Sequence, residues 1–192
     1  LLGRAVLVFR HQPLTSEAHL ALAESWGPLA PRNPMYPHAE GHEQIMVIRN
    51  DEKTPPENES WHSDLSYKPS PPFAALLRGH HIPAAGGDTL WTDMRSVHDA
   101  LSEPMRAFLG QFTARHSREC GFSFLRNTDQ AARVQALDRE DITGVAATHP
   151  VVKQHSASER KLVFVNETFT SHVDGLSAPE SRAVLDMLFR MV

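Results

Sequence analysis

The apolar positions of this chain fall in short runs separated by turn residues. Residues 5–9, 45–48, 73–78, 88–92, 111–115, 148–152 and 161–165 are rich in Val, Ile, Leu, Phe and Thr and are bounded by Gly, Pro, Asn or Asp, the pattern of strands. Helical spacing predicts helices over 15–26, opened by Thr15 or Ser16 and stopped by Gly27, and over 93–109, with a break near Ser102-Glu103-Pro104. Further helices are predicted over 128–138 and from Ser177, where Ser177-Ala178-Pro179-Glu180 is a capping box with Pro in the first turn. The proline-rich stretches 50–60 and 68–72 read as loops bracketing Trp61–Tyr67. The expected fold class is mainly β with flanking helices, as one domain over 1–192. The first apolar run begins almost at residue 1, which is Leu, and the last helix reaches Val192 without a stop signal. The expectation is a domain incomplete at both ends.

Composition narrows the class. With 192 residues, 41% of them hydrophobic, the chain has enough apolar surface for one core. A net charge of −4 without a Lys/Arg-rich run speaks against a nucleic-acid partner. No apolar run reaches the roughly 20 residues of a membrane helix, so no membrane partner is expected. The single cysteine, Cys120, closes no intrachain disulfide, which fits a cytoplasmic location. The sequence leaves a homo-oligomer open.

Twelve histidines direct attention to metal chemistry. His62-Ser63-Asp64 lies between the two proline-rich loops, and in an extended segment side chains at i and i+2 point to one side. An imidazole and a carboxylate there can close on one ion. Spacing alone does not single this pair out, because His172-Val173-Asp174 repeats it; the second pair runs into Gly175 and the Ser177 cap and reads as a solvated turn. Gly86-Gly87-Asp88-Thr89 is a tight turn feeding a predicted strand, with a threonine hydroxyl available to an anion or simply an ordinary hairpin turn.

Taken together, Trp61-His62-Ser63-Asp64, Pro71-Pro72, Gly86-Gly87-Asp88-Thr89-Leu90-Trp91 and Asp99-Ala100-Leu101-Ser102 resemble the Fe(II)- and 2-oxoglutarate-dependent taurine dioxygenase family. The likeness extends to Tyr36-Pro37-His38-Ala39-Glu40-Gly41, His149-Pro150-Val151-Val152 and Phe164-Val165-Asn166-Glu167. The resemblance implies a double-stranded β-helix, or jelly roll. It implies Fe(II) held by His62 and Asp64 with a distal His as third ligand, and 2-oxoglutarate and O2 as co-substrates at the open positions. It implies hydroxylation of a small, sulfonate-like organic acid with release of succinate and CO2. Thr89 matches the family threonine that hydrogen-bonds 2-oxoglutarate beside a late arginine. Tyr36, Asn58, Phe122 and Phe169 match positions that shape the substrate pocket, where core packing is the other role open to the two phenylalanines.

Two departures bear on the substrate. Asn33 stands where the taurine enzymes carry a histidine that contacts the sulfonate, and Gly121 stands where they carry a serine. The resemblance therefore points away from taurine itself, toward another sulfonate, a sulfate ester or a carboxylate. The family's distal His and 2-oxoglutarate Arg are expected beyond Val192. His149, His155 and His172 match neither place, and His38, His42, His80 and His81 match no family ligand. Two other readings stay open: a non-catalytic jelly-roll protein that binds a small anion, and a zinc-dependent hydrolase.

Overall fold

A computed structural model of the chain describes residues 3–33, 36–51, 60–122 and 145–192, with only the backbone of Phe122. In chain order the described elements are α1 (Ser16–Glu24), β1 (His38–Ala39), β2 (His42–Met46), α2 (Met94–Ala100), α3 (Glu103–Leu109), β3 (Thr113–Ser117), α4 (Arg118–Phe122), β4 (Ala146–Pro150), β5 (Val152–Gln154), β6 (Lys161–Val163), β7 (Thr170–Val173) and α5 (Ala178–Phe189). Contacts within the chain divide it into two units. One comprises Leu1–Val6, Ser60–Pro71 and Trp91–Val192, the other Leu7–Glu59 and Pro72–Leu90.

The first unit is organised by β3, which pairs antiparallel with β4 on one side and β7 on the other. Its alternation buries Ala114 and His116 and turns Arg115 outward, while β4 buries Ala147 and His149 in the same way. With Ala114 opposite His149 and His116 opposite Ala147, the two histidines are diagonal neighbours on the inner face. The core joins this face to the helices: Val97 and Leu101, Leu109, Val151, Val163, Val173, and Leu185 and Leu188 of α5 form one cluster. The break predicted near Ser102 is present, since the Ser102 hydroxyl accepts the Met105 N–H at 3.4 Å and Pro104 sits in the first turn of α3. Before α5, the Glu180 carboxylate reaches back to the Ser177 N–H at 2.9 Å.

In the second unit Thr15 caps α1 by accepting the Ala18 N–H at 3.2 Å. β2 starts at His42, earlier than the predicted 45–48, and pairs with β1 across a turn where Gly41 has φ of +72°. The strands predicted over 5–9, 73–78 and 88–92 do not form. Val8, Phe9, Leu77 and Leu90 are all exposed. Strand propensity expresses packing of branched and aromatic side chains on a half-buried pleated surface, and none of these runs finds a pairing partner among the described residues. The predicted helix 128–138 lies outside the described residues.

Candidate metal centre

Residues 61–63 belong to no helix or strand and lead into a turn over 64–67, with Leu65 at a φ of +54°. This places His62 and Asp64 on one side, His62 Nε2 3.4 Å from Asp64 Oδ1. The other ring nitrogen is committed: His62 Nδ1 donates to the Ser60 carbonyl at 2.9 Å. That bond fixes the tautomer and leaves Nε2 as the electron-pair donor facing the carboxylate. Hydrogen bonding to Asp64 is the main cause that raises the His62 pKa, against the opposing effect of burial. The carboxylate thus favours a cation on Nε2, whether a proton or a metal ion. The side chains retain 29% and 65% of their accessible surface, so an ion can reach them.

The segment ahead of His62 is tied to the loop before β7. Ser60 Oγ and Thr168 Oγ1 are 2.7 Å apart, and Thr168 Oγ1 donates to the Trp61 carbonyl at 3.3 Å. Next to Thr168, the Phe169 ring is buried and meets Tyr67 edge-on, with centroids 5.0 Å apart. Phe169 also lies against Gly121, where a Cβ would come within 2.2 Å of the ring. The backbone at Gly121 thus sits where any side chain would displace Phe169.

Behind the turn is a buried polar cluster that spacing arguments did not find. Ser66 is fully buried. Its hydroxyl contacts His116 Nδ1 and Asn166 Nδ2, each at 3.0 Å, and its carbonyl accepts from His149 Nε2 at 2.9 Å. His149 Nε2 also donates to the Lys68 carbonyl at 3.0 Å. Both partners are carbonyls, so Nε2 carries the proton. Burial pushes the His116 pKa down to about 4, aided by its neighbour His149, whose own pKa is lowered chiefly by burial. The two rings are 5.3 Å apart and Phe164 packs on both. His149 therefore holds the turn that carries Asp64 by its backbone carbonyls, from strand β4. The signal for Asn166 was its place in the Phe-Val-Asn-Glu match; Ser66 carried none.

The second His-x-Asp pair has nearly the same internal geometry, with His172 Nε2 3.3 Å from Asp174 Oδ1. His172 lies in β7 rather than in a turn; its Nδ1 contacts Ser171 Oγ at 3.0 Å, and Thr113 Oγ1 donates to Asp174 Oδ2 at 2.8 Å. A two-donor pair is thus not distinctive in itself. No group of three or more His, Cys, Asp or Glu side chains able to hold a metal occurs among the described residues.

The other sequence-matched residues are placed as follows. In the second unit the Tyr36 N–H donates to the Asn33 carbonyl at 3.4 Å. Thr89 is exposed, just past Gly86 and Gly87, which both have positive φ. Asn58 and the side chain of Phe122 lie outside the described residues. No helix among the described residues is long and apolar enough to cross a membrane.

Comparison with known proteins places the chain in a family. The chain is 30% identical over 200 residues to an alpha-ketoglutarate-dependent 2,4-dichlorophenoxyacetate dioxygenase of Cupriavidus pinatubonensis, covering 95% of this chain and 67% of that protein. It is 27% identical over 191 residues to an alpha-ketoglutarate-dependent sulfate ester dioxygenase of Pseudomonas putida, covering 98% of this chain and 62% of that protein. A crystal structure of a taurine dioxygenase from Burkholderia xenovorans superposes with a TM-score of 0.73 at 27% identity, covering 95% of this chain and 57% of that one. The chain spans about half to two thirds of the length of the curated relatives it matches. The family model for taurine catabolism dioxygenases matches residues 1–192 throughout, and the chain belongs to that family, the TauD and TfdA dioxygenases.

Proposed function

We propose that the whole protein is an Fe(II)- and 2-oxoglutarate-dependent dioxygenase that hydroxylates a small organic acid. The observation that carries this reading is the family match over residues 1–192, and it is supported by the paired donors of its motif, His62 Nε2 3.4 Å from Asp64 Oδ1 with Nδ1 anchored on the Ser60 carbonyl. One imidazole and one carboxylate are two thirds of the facial triad suited to this iron chemistry. The third donor, a histidine, and the arginine that pairs with 2-oxoglutarate come from outside the described residues. The fold we infer for the complete domain is the jelly roll, and the location is the cytoplasm. When bound, the metal supplies the oxygen-activating chemistry that couples decarboxylation of 2-oxoglutarate to hydroxylation.

Each of the chain's own residues has a defined task in this reading. The Ser60 carbonyl orients the His62 ring, and Asp64 offers its carboxylate alongside. Thr89 donates its hydroxyl to 2-oxoglutarate. Asn33, Tyr36, Asn58, Phe122 and Phe169 shape the acid's site. An amide at Asn33 offers a weaker, uncharged donor where a histidine can be cationic, so the favoured substrate is a sulfonate other than taurine, a sulfate ester or an aryloxy acid. The relatives named for sulfate esters and for a phenoxyacetate support that range.

The test is oxygen uptake and succinate release by the full-length protein with Fe(II), 2-oxoglutarate and a panel of such acids. Succinate formed in step with hydroxylated acid supports the reading. Hydrolysis sustained by zinc without 2-oxoglutarate, or tight anion binding without turnover, overturns it.

A further inference from the structure

The side chain of Asn166 bonds both to the turn carrying Asp64 and to the backbone of Phe169. Its Nδ2 donates to Ser66 Oγ at 3.0 Å and its Oδ1 accepts the Phe169 N–H at 2.8 Å. The amide orientation is dictated by chemistry, because a backbone N–H only donates. The residue is itself held: its N–H donates to Thr170 Oγ1 at 2.9 Å, and its carbonyl accepts the Thr170 N–H at 3.1 Å. Asn166 is 7% exposed and Ser66 0%, so neither arm is open to exchange with solvent, and losing either leaves a buried polar group unpaired.

The two ends of this bridge matter for different reasons. Ser66 is two residues past Asp64 in a turn closed by the Ser66 N–H on the Ser63 carbonyl at 3.2 Å, with Leu65 in the left-handed region. A non-glycine residue at positive φ persists only where its surroundings hold it. His149 grips that turn by its carbonyls, whereas Asn166 grips it by the Ser66 side chain and reaches onward. At the far end, Phe169 follows Thr168, which is bonded to Ser60 and Trp61, and its ring is wedged between Tyr67 and Gly121.

We propose that Asn166 is a positioning residue that couples the metal half-site to the aromatic wall of the substrate site, fixing the turn behind Asp64 and the backbone of Phe169 through one amide. This rests on the dioxygenase reading for the roles of Asp64 and Phe169. Outer partners of metal ligands commonly change metal affinity about 10- to 100-fold when removed. Ser66→Ala removes the metal-side arm, together with the Ser66 Oγ contact to His116 Nδ1, and keeps the Phe169 arm; it should weaken metal binding about 10-fold with the substrate KM unchanged. Asn166→Ala cuts both arms and should weaken metal binding similarly while also raising the substrate KM several-fold.

The experiment titrates the full-length protein with Mn(II), followed by electron paramagnetic resonance, and measures substrate KM with saturating iron. Four proteins are compared with the parent: Ser66→Ala, Asn166→Ala, their double variant, and Leu188→Ala, a core truncation that lowers stability alone. The metal affinity of the double variant should match that of Ser66→Ala, because Ser66→Ala already removes the bond through which Asn166 reaches the turn. Additive effects of the two substitutions, or an Asn166→Ala protein that loses thermal stability like Leu188→Ala yet keeps its metal affinity and KM, overturn the proposal. If Asn166→Ala does not fold, Ser66→Ala decides, and unchanged Mn(II) affinity in it overturns the coupling. A parent that binds no Mn(II) defeats the dioxygenase reading as well. A parent that binds and turns over while the variants match it defeats the coupling alone.

Discussion

The imidazole of His149 donates to the carbonyl of Ser66 at 2.9 Å, so a buried histidine on β4 holds the turn that carries Asp64. With His116 at its side, it makes the support of the candidate site a cluster of neutral histidines in a low-dielectric interior.

That neutrality gives a pH dependence. The His116 pKa is about 4 in the folded chain, against about 6.5 for an unfolded histidine. Between these values the unfolded chain binds more protons, so stability is full above pH of about 6.5 and falls as the pH drops toward 4. The loss is on the order of 3 kcal/mol for His116, with His149 adding in the same direction. Urea unfolding at pH 7, 5.5 and 4.5 measures it. A His116→Gln variant should show a shallower fall, and an unchanged slope would mean that the acid sensitivity arises elsewhere.

Gly121 gives a steric prediction. Alanine in a helix is favoured over glycine by about 1 kcal/mol, but a Cβ here would lie 2.2 Å and 2.5 Å from Phe169 ring atoms. Overpacking typically costs about 1–3 kcal/mol, and the ring is backed by Tyr67. Gly121→Ala or Gly121→Ser should therefore lower thermal stability and shift the acid preference, read from Tm and from relative kcat/KM over the acid panel. A stabilised variant with unaltered preference would show that Phe169 moves freely.

How far the sequence reaches can be seen in particular residues. His62 and Asp64 do approach each other as their spacing suggested, but through a turn that begins at residue 64 rather than along an extended strand. The caps at Thr15 and Ser102 were legible because they are local. The three absent strands were not, since Val8, Phe9 and Leu90 have strand character that only a pairing partner can realise. Nor was the Ser66 cluster: its members are 50, 83 and 100 positions from Ser66, and one serine carries no periodicity. His172 and Asp174 show the converse, a pair with the right spacing and a 3.3 Å approach but no motif around it.

Thr89→Ala should raise the KM for 2-oxoglutarate more than that for the organic acid. A hydrogen bond to a charged group contributes about 1.5–3 kcal/mol, equivalent to roughly ten- to a hundred-fold in affinity. Steady-state kinetics with each substrate varied in turn separates the two. A change confined to the acid's KM would remove Thr89 from the co-substrate site.

Asn33→His should improve turnover of taurine relative to alkyl sulfates and aryloxy acids, because it restores a cationic donor for a sulfonate. Competition assays on the parent and the variant measure this. A parent that already prefers taurine strongly would contradict the specificity assigned to Asn33.

In the proposed function His62 and Asp64 hold the metal, while the near-identical pair at His172 and Asp174 does not. Fe(II) titration of the full-length His62→Ala, Asp64→Ala and His172→Ala proteins, with succinate release followed in parallel, tests this most directly. Loss of tight Fe(II) binding and of succinate release in the first two, with folded circular dichroism spectra, and His172→Ala within a few-fold of the parent, is the predicted result. Unchanged Fe(II) affinity in both His62→Ala and Asp64→Ala would contradict it.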